Sequence, residues 1–334
     1  MSESVSCAEG MSSDASPRAR VPARALPIAV IIPAYNRAEM LRRSLASVFA
    51  QEPAPPDQVI VVDDGSRDDT AAVAEEMGAS VIRHPRNLGL SAARNTGLRA
   101  ARHEWVALLD SDDEWLSHHL AGLWTLRADH VLVTGSSLHC GADPAADRFA
   151  GPVTRTPLVL HAGEQLVYPS NIIPVSASMF RRQLALEVGG FRAHEGVVED
   201  FDMWLRLLER GTGICSPRVS VIYHVHDGQM SRQDMHTMHS AHAQAAAAHL
   251  ERVGGSRVPL QRHEAVVAWD NLREALRARR RRQAAGYARF LLARPQRVIG
   301  LIGLLARRYR VRRRSVALRS AGVGRSLDRA VAEG

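Results

Sequence analysis

The first pattern along the chain is a short apolar run, Ile28 to Pro33, with no polar residue alternating through it. Such a run marks a strand buried on both faces. From Arg37 to Ala50 the period changes: Met40, Leu41, Leu45, Val48 and Phe49 fall on one helical face. Val59 to Val62 predicts a second buried strand, stopped by Asp63-Asp64-Gly65-Ser66. Thr70 to Met77 reads as a helix, Ala79 to Ile82 as a short strand and Ser91 to Ala101 as a helix. Trp105 to Leu109 reads as another buried strand, ending at Asp110. Strands alternating with helices at this spacing predict an α/β fold with a doubly wound, mostly parallel sheet and helices on both faces.

From about Val131 to Ile173 the pattern weakens, and Gly, Pro and Ser recur. Beyond it the spacing predicts a strand over Val175 to Phe180 and a short helix over Gln183 to Val188. A glycine turn at Gly189-Gly190, an amphipathic helix over Asp200 to Arg210 and a strand over Val219 to Val225 follow. In that amphipathic helix Trp204 reads as core, and Asp202 and Arg206 as a pair or as supports for their neighbours. After Ser231 the chain turns to Ala, His and Arg at helical spacing. The expected organisation is a flexible leader over 1–26, an α/β domain over 27–232 and an Arg-rich helical appendage over 233–334.

Charge sharpens that division. Residues 1–240 carry 22 Arg against 29 Asp and Glu, a net of −7, whereas residues 241–334 carry 21 against 6, a net of +15. The overall +8 therefore belongs to the tail. Two basic runs, Arg277 to Arg282 and Arg307 to Arg314, bracket an apolar segment interrupted by Pro295. Mixed basic and apolar helices suit peripheral contact with an anionic membrane; the plainer reading is a solvated appendage. With no nucleic-acid module and no aromatic stacking pattern, a nucleic-acid partner is not expected. No stretch reaches the roughly 18 apolar residues of a spanning helix. The three cysteines, Cys7, Cys140 and Cys215, are far apart and lack metal-ligand spacing. They argue against a disulfide framework and a zinc site, and suit a reducing, cytoplasmic location.

A doubly wound sheet binds its ligand beyond the carboxyl ends of its strands. Three such ends read Pro33-Ala34-Tyr35-Asn36, Asp63-Asp64-Gly65-Ser66 and Asp110-Ser111-Asp112-Asp113. Crowded carboxylates are unfavourable unless a cation or hydrogen-bond donors offset them, so this edge points to a metal or a polar ligand. Each piece also has a plainer use: Pro, Asn and Asp-Gly are turn formers, and an Asp before a helix is a cap.

Four segments, "IIPAYNRAEMLRRSLASVFAQ", "VIVVDDGSRDDT", "RNLGLSAARNTGLRAARHEWVALLDSDDEW" and "GGFRAHEGVVEDFDMWLRL", stand in this order. Together they resemble the family 2 glycosyltransferases, over about residues 27 to 232. The resemblance implies a GT-A fold and inverting transfer of a sugar from a nucleotide-diphosphate donor, most commonly a UDP-sugar. Residues 27–115 would form the nucleotide-sugar half and 116–232 the acceptor half. It implies that Pro33, Tyr35 and Asn36 line the base pocket, that Asp63 meets the base with Asp64 beside it, and that Arg94 contacts the donor. Asp110 and Ser111 would also face the donor. A Mg2+ or Mn2+ ion would sit on Asp112, with Asp110 and Asp113 as further ligands and His226 joining the metal or diphosphate. Asp200 would be the base that deprotonates a glycan or lipid-linked acceptor, in bacterial surface polysaccharide or glycolipid synthesis. The rivals are a non-catalytic nucleotide-sugar-binding relative, which would lack the acidic set, and a sugar-nucleotide nucleotidyltransferase, whose first loop is glycine-rich and basic rather than "PAYNR".

Overall fold

A computed structural model of the chain describes residues 25–141, 148–150, 156–162, 171–194, 198–226, 229, 235–254, 281–293 and a few isolated positions between 265 and 279. The leader before residue 25 and the tail beyond 293, with its second arginine run, lie outside the described residues. In chain order the strands are β1 (Leu26–Ala34), β2 (Pro56–Asp63), β3 (Ser80–Arg83), β4 (Trp105–Leu108), β5 (Glu114–Trp115), β6 (Leu132–Cys140), β7 (Arg148–Ala150), β8 (Leu158–Leu160), β9 (Ser178–Arg181) and β10 (Gly213–His224). The helices are α1 (Ala38–Phe49), α2 (Thr70–Glu76), α3 (Leu90–Ala100), α4 (His119–Leu126), α5 (Arg182–Glu187), α6 (Glu199–Leu208), α7 (Met235–Val253) and α8 (Arg281–Leu292).

The apolar run of β1 finds a core on each side. Ile28, Val30 and Ile32 pack with Leu41, Leu45 and Val48 of α1 and with Leu120 and Leu123 of α4. Ala29 and Ile31 face the opposite way, into Ala93 and Leu98 of α3 and Met203, Trp204 and Leu207 of α6. Successive strand residues point to opposite faces, so a strand covered by helices on both faces needs apolar residues throughout. Helix α3 lies very close to β1. A Cβ on Gly97 would fall 2.4 Å from Ile31 Cγ2, so glycine there sets the depth at which the helix sits.

The main sheet runs β3-β2-β1-β4-β9-β6-β10-β5. Strands β1 to β4 pair in parallel. Strand β9 is antiparallel to both β4 and β6, and β6 is parallel to β10. Strands β3, β2, β1, β4, β6 and β10 therefore all point one way, and the fold is mixed α/β with a mostly parallel sheet. Their carboxyl ends share one edge, and the reversed β9 delivers its beginning to the same edge.

Three local expectations change. The pattern-poor stretch holds β6, whose interior residues Thr134, Ser136 and Ser137 are buried although polar, so no apolar period betrays it. The strand expected from Val175 opens as a 3-10 turn (Val175–Ala177), and β9 begins at Ser178. Glu114 and Trp115 pair with β10 instead of entering a helix, and α4 starts at His119; Asp113 is thus no helix cap. Helix α7 packs on α6 through Ala245, Ala246 and Leu250 against Phe201 and Leu205. Glu209 adds to that seam by accepting from His249 Nδ1 at 2.6 Å and Arg252 Nη2 at 2.7 Å.

Candidate active site at the carboxyl edge of the sheet

Beyond β1, Tyr35 is 41% exposed, and Asn36 takes a positive φ of 52°. The Asn36 amide donates to Ser66 Oγ, and its Oδ1 accepts from the Arg67 amide, both at 2.9 Å. This stitches the β1 end to the loop after β2, with Pro33 buried beneath. The two aspartates of that loop are buried. Asp63 accepts from the Ser66 amide at 2.9 Å and pairs with Arg83 Nε at 3.1 Å. Asp64 accepts from the amides of Leu88 and Gly89 at 2.9 and 2.8 Å and meets His84 Nδ1 at 2.6 Å. Both Asp64 oxygens are therefore spent on anchoring the loop that starts α3.

Arg94, on α3, is also buried. Its Nη1 donates to Glu199 Oε1 at 2.5 Å and its Nη2 to Asp110 Oδ1 at 2.8 Å. Its Nε, equally buried, meets no acceptor among the described residues. The rigid guanidinium fork suits two carboxylates at once, and here it joins the end of β4 to the first turn of α6. Next to it, Asn95 clamps the backbone of Phe191: its Nδ2 donates to the carbonyl at 2.7 Å and its Oδ1 accepts from the amide at 2.8 Å.

The acidic run after β4 divides three ways. Asp110 turns to Arg94. Asp112 turns to His226, whose Nε2 lies 3.0 Å from its Oδ2; the two side chains are 20% and 21% exposed. Asp113 turns inward: its Oδ2 accepts from Ser176 Oγ at 2.6 Å and its Oδ1 from the His224 amide at 3.3 Å. Ser111 is buried. Ser176 Oγ also accepts from the Asp110 amide at 3.1 Å, so one hydroxyl holds both ends of the run. Burial pushes the Asp113 carboxyl well above the ordinary range, with Asp110 adding to it. Burial raises Asp110 too, against the pull of Arg94. The expected metal set of Asp110, Asp112, Asp113 and His226 thus separates: among the described residues no three His, Cys, Asp or Glu side chains converge as a metal group. His224, two residues before His226, is held 2.6 Å from Glu114.

Asp200 lies in the first turn of α6. Its Oδ2 accepts from Asn171 Nδ2 at 2.6 Å and its Oδ1 from the Phe201 amide at 2.7 Å. Burial first, then the charge of Glu199, pushes its pKa up to about 7; Arg94 and the two donors oppose the shift. A carboxylate half ionised near neutrality is suited to proton transfer. Asp202 and Arg206 do pair, at 2.7 Å, and Arg206 also donates to the carbonyls of Val188 and Gly190. That ties α6 to the glycine turn. Trp204 is core. Asn171 and Ser176 carry no periodic signal in the sequence. The direction of β9 brings them here, and that is not readable from a run of apolar residues.

A model of glycosyl transferase family 2 matches residues 29–188. The uncharacterized glycosyltransferase YwdF of Bacillus subtilis is 30% identical over 59% of this chain and 73% of its own length. The chain belongs to glycosyl transferase family 2. The pre-mycofactocin glycosyltransferase of Mycobacterium tuberculosis is 32% identical to this family 2 chain, over 61% of the chain but only 43% of that longer protein. Two succinoglycan biosynthesis proteins of Rhizobium meliloti match at 29% identity. In fold, the chain is similar to the mannosyltransferase PcManGT from Pyrobaculum calidifontis, solved in complex with GDP-Man and Mn2+. The TM-score is 0.52 at 21% identity, covering 85% of this family 2 chain and 87% of that one. The GT-A architecture implied by the motifs is therefore present.

Proposed function

We propose that this chain is an inverting glycosyltransferase that moves a sugar from a nucleotide-diphosphate donor to a hydroxyl of a glycan or lipid-linked acceptor. The observation that carries this reading is the position of Asp200. A carboxylate poised near neutral pH directly follows Glu199 in the chain, and Glu199 is joined through the Arg94 guanidinium to Asp110 at the donor edge. The succinoglycan relatives and the nucleotide sugar in PcManGT support the same reaction class.

In this reading the donor lies across the ends of β1, β2 and β4. Tyr35 and Asn36 face the base, and Asp63 supports their loop. Asp64 and Arg94 act from beneath, the first by fixing the loop before α3. Asp112 and His226 fit a divalent cation: one carboxylate oxygen and one imidazole nitrogen lie together at a partly open position. Mg2+ and Mn2+ sites are commonly completed by phosphate oxygens and water. A bound cation there supplies neutralisation of the diphosphate charge. Asp200 takes the proton of the acceptor hydroxyl. The acceptor oxygen bonds to the anomeric carbon as the bond from that carbon to the diphosphate oxygen breaks. The bonding pair leaves with the nucleoside diphosphate, and the anomeric configuration inverts.

The test is a panel of nucleotide sugars with Mg2+ or Mn2+, following nucleoside diphosphate release with and without EDTA. One donor should support release, EDTA should suppress it, and Asp112→Ala should lower it by about a hundredfold or more. Tight donor binding without release, even with a lipid extract as acceptor, would favour the non-catalytic reading.

The proposal extends to the domains. Because α7 packs on the helix that bears Asp200, the catalytic unit is proposed to run from residue 27 through α7, beyond the boundary expected at 232. The Arg-rich segment after it is proposed to touch an anionic membrane: α8 exposes Arg281, Arg282 and Arg289 beside Phe290 and Leu292. Among the described residues no helix is long and apolar enough to cross a membrane. The full chain should sediment with anionic vesicles and not with neutral ones. A chain cut after Arg257 should stay in solution and keep its donor hydrolysis; sedimentation of the cut chain would overturn the membrane reading.

A further inference from the structure

Arg94 is buried where a residue that greets the donor would be open. Its guanidinium is shared between Asp110, after β4, and Glu199, at the start of α6, and its Cζ lies 5.6 Å from the centre of the Phe191 ring. We propose that Arg94 is a positioning residue that locks the base-bearing turn of α6 to the donor edge. This rests on the reading of Asp200 as the base.

Asp110, Glu199 and Asp200 crowd one partly buried space, and Arg94 is the cation that enters it. Its two donors fix two carboxylates that are 89 residues apart in sequence but belong to the two halves of the site. Without it, Glu199 would keep its burial and lose its partner, a costly state that the first turn of α6 would relieve by moving. Asp200, the next residue, would move with it. A displacement of about 1 Å at a reacting group can cost about a hundredfold in rate. The cation also acts on Asp200 directly, favouring its ionised form.

The groups around Asp200 are few. Glu199 comes from its own helix, Arg94 from α3 with Asp110 behind it, and neutral Asn171 from the segment before β9. Helix α7, packed on the same helix, presents His242 to Phe201 and His249 to Glu209.

The experiment compares full-length wild type, Arg94→Gln and Arg94→Lys, using the donor found in the panel. It reads donor Kd by calorimetry and kcat across pH 5 to 9. For Arg94→Gln, kcat should fall about tenfold to a hundredfold, with donor Kd within about threefold of wild type. The rising limb of its pH profile should move up by about one unit. Lysine keeps the charge but cannot fork between two carboxylates. Its limb should stay near wild type while kcat stays low. If Arg94→Gln does not fold, Glu199→Gln gives the complementary reading: removing the neighbouring anion should move the limb down. A weakened donor Kd with an unmoved limb in Arg94→Gln would make Arg94 a donor-contacting residue and overturn the proposal. An unmoved limb in Glu199→Gln would overturn it equally. Should Asp200→Asn retain wild-type turnover, the base assignment itself fails, and that outcome is separate from any result with Arg94.

Discussion

Asp200→Asn is expected to cut turnover by about a thousandfold, within the range typical of a lost general base, and at the same time to make the protein more stable above neutral pH. The second effect follows from the raised pKa of about 7. The folded chain holds a proton on Asp200 that the unfolded chain releases at lower pH. The stability tied to that proton is complete below about pH 4 and is lost as pH rises through 7. Asparagine never ionises, so the variant escapes the loss. The gain at pH 8.5 is at most about 4 kcal/mol, taking about 1.4 kcal/mol for each unit between ordinary and raised values. One amide would then face the Asn171 Nδ2 donor, which offsets about 1 kcal/mol. Thermal melts decide it: the variant should melt above wild type at pH 8.5, and its advantage should shrink as pH falls through 7 and vanish only below about pH 4. Equal melting at pH 8.5 would mean that Asp200 does not carry a raised pKa. Wild-type kcat should itself rise through about pH 7.

Gly65→Ala is expected to be the most damaging small substitution at the donor edge. Gly65 has a φ of +77°, and a Cβ there would lie 2.5 Å from the Arg86 carbonyl carbon and 2.8 Å from the Asn87 nitrogen. Those are backbone atoms, so no side chain can rotate away. The left-handed conformation costs about 1–2 kcal/mol, and displacing the loop about 1–3 more. The displaced loop is the one anchored by Asp64 at the start of α3. Donor affinity should therefore fall along with stability. Gly78 is the control: its φ is +88°, but nothing lies within 4 Å of an added Cβ. Urea denaturation should show Gly65→Ala losing at least about 1 kcal/mol more than Gly78→Ala; equal losses would refute the close approach of the two loops.

The first half of the fold was legible because β1, β4 and the carboxyl-terminal part of β2 are covered on both faces. Their residues there had to be apolar, and the switch to helical period in α1 is plain. Strand β6 was not legible, because Thr134, Ser136 and Ser137 fill a buried strand with polar side chains. The site was legible as a set of residues and not as an arrangement. Asp110, Asp112 and Asp113 stand together in sequence, yet they turn to Arg94, His226 and Ser176 respectively. Successive residues of a turn point in different directions, and the partners come from distant parts of the chain. Arg94 read as a donor contact because the family resemblance places one in this helix; nothing in its neighbours announces that Asp110 and Glu199 would claim it first.

The hydrogen bond from Asn171 to Asp200 bears on how such a chain diversifies. Asn171 belongs to the connection that enters the 3-10 turn before β9, within the proposed acceptor half. In the proposed function that connection borders the acceptor. It also steadies the proposed base. New acceptor preferences would then be explored under a tether, because the Asn171 amide is held by the need to keep Asp200 aimed. Acceptor range and turnover would drift together in this fold, more than in one whose base is oriented wholly from its own helix.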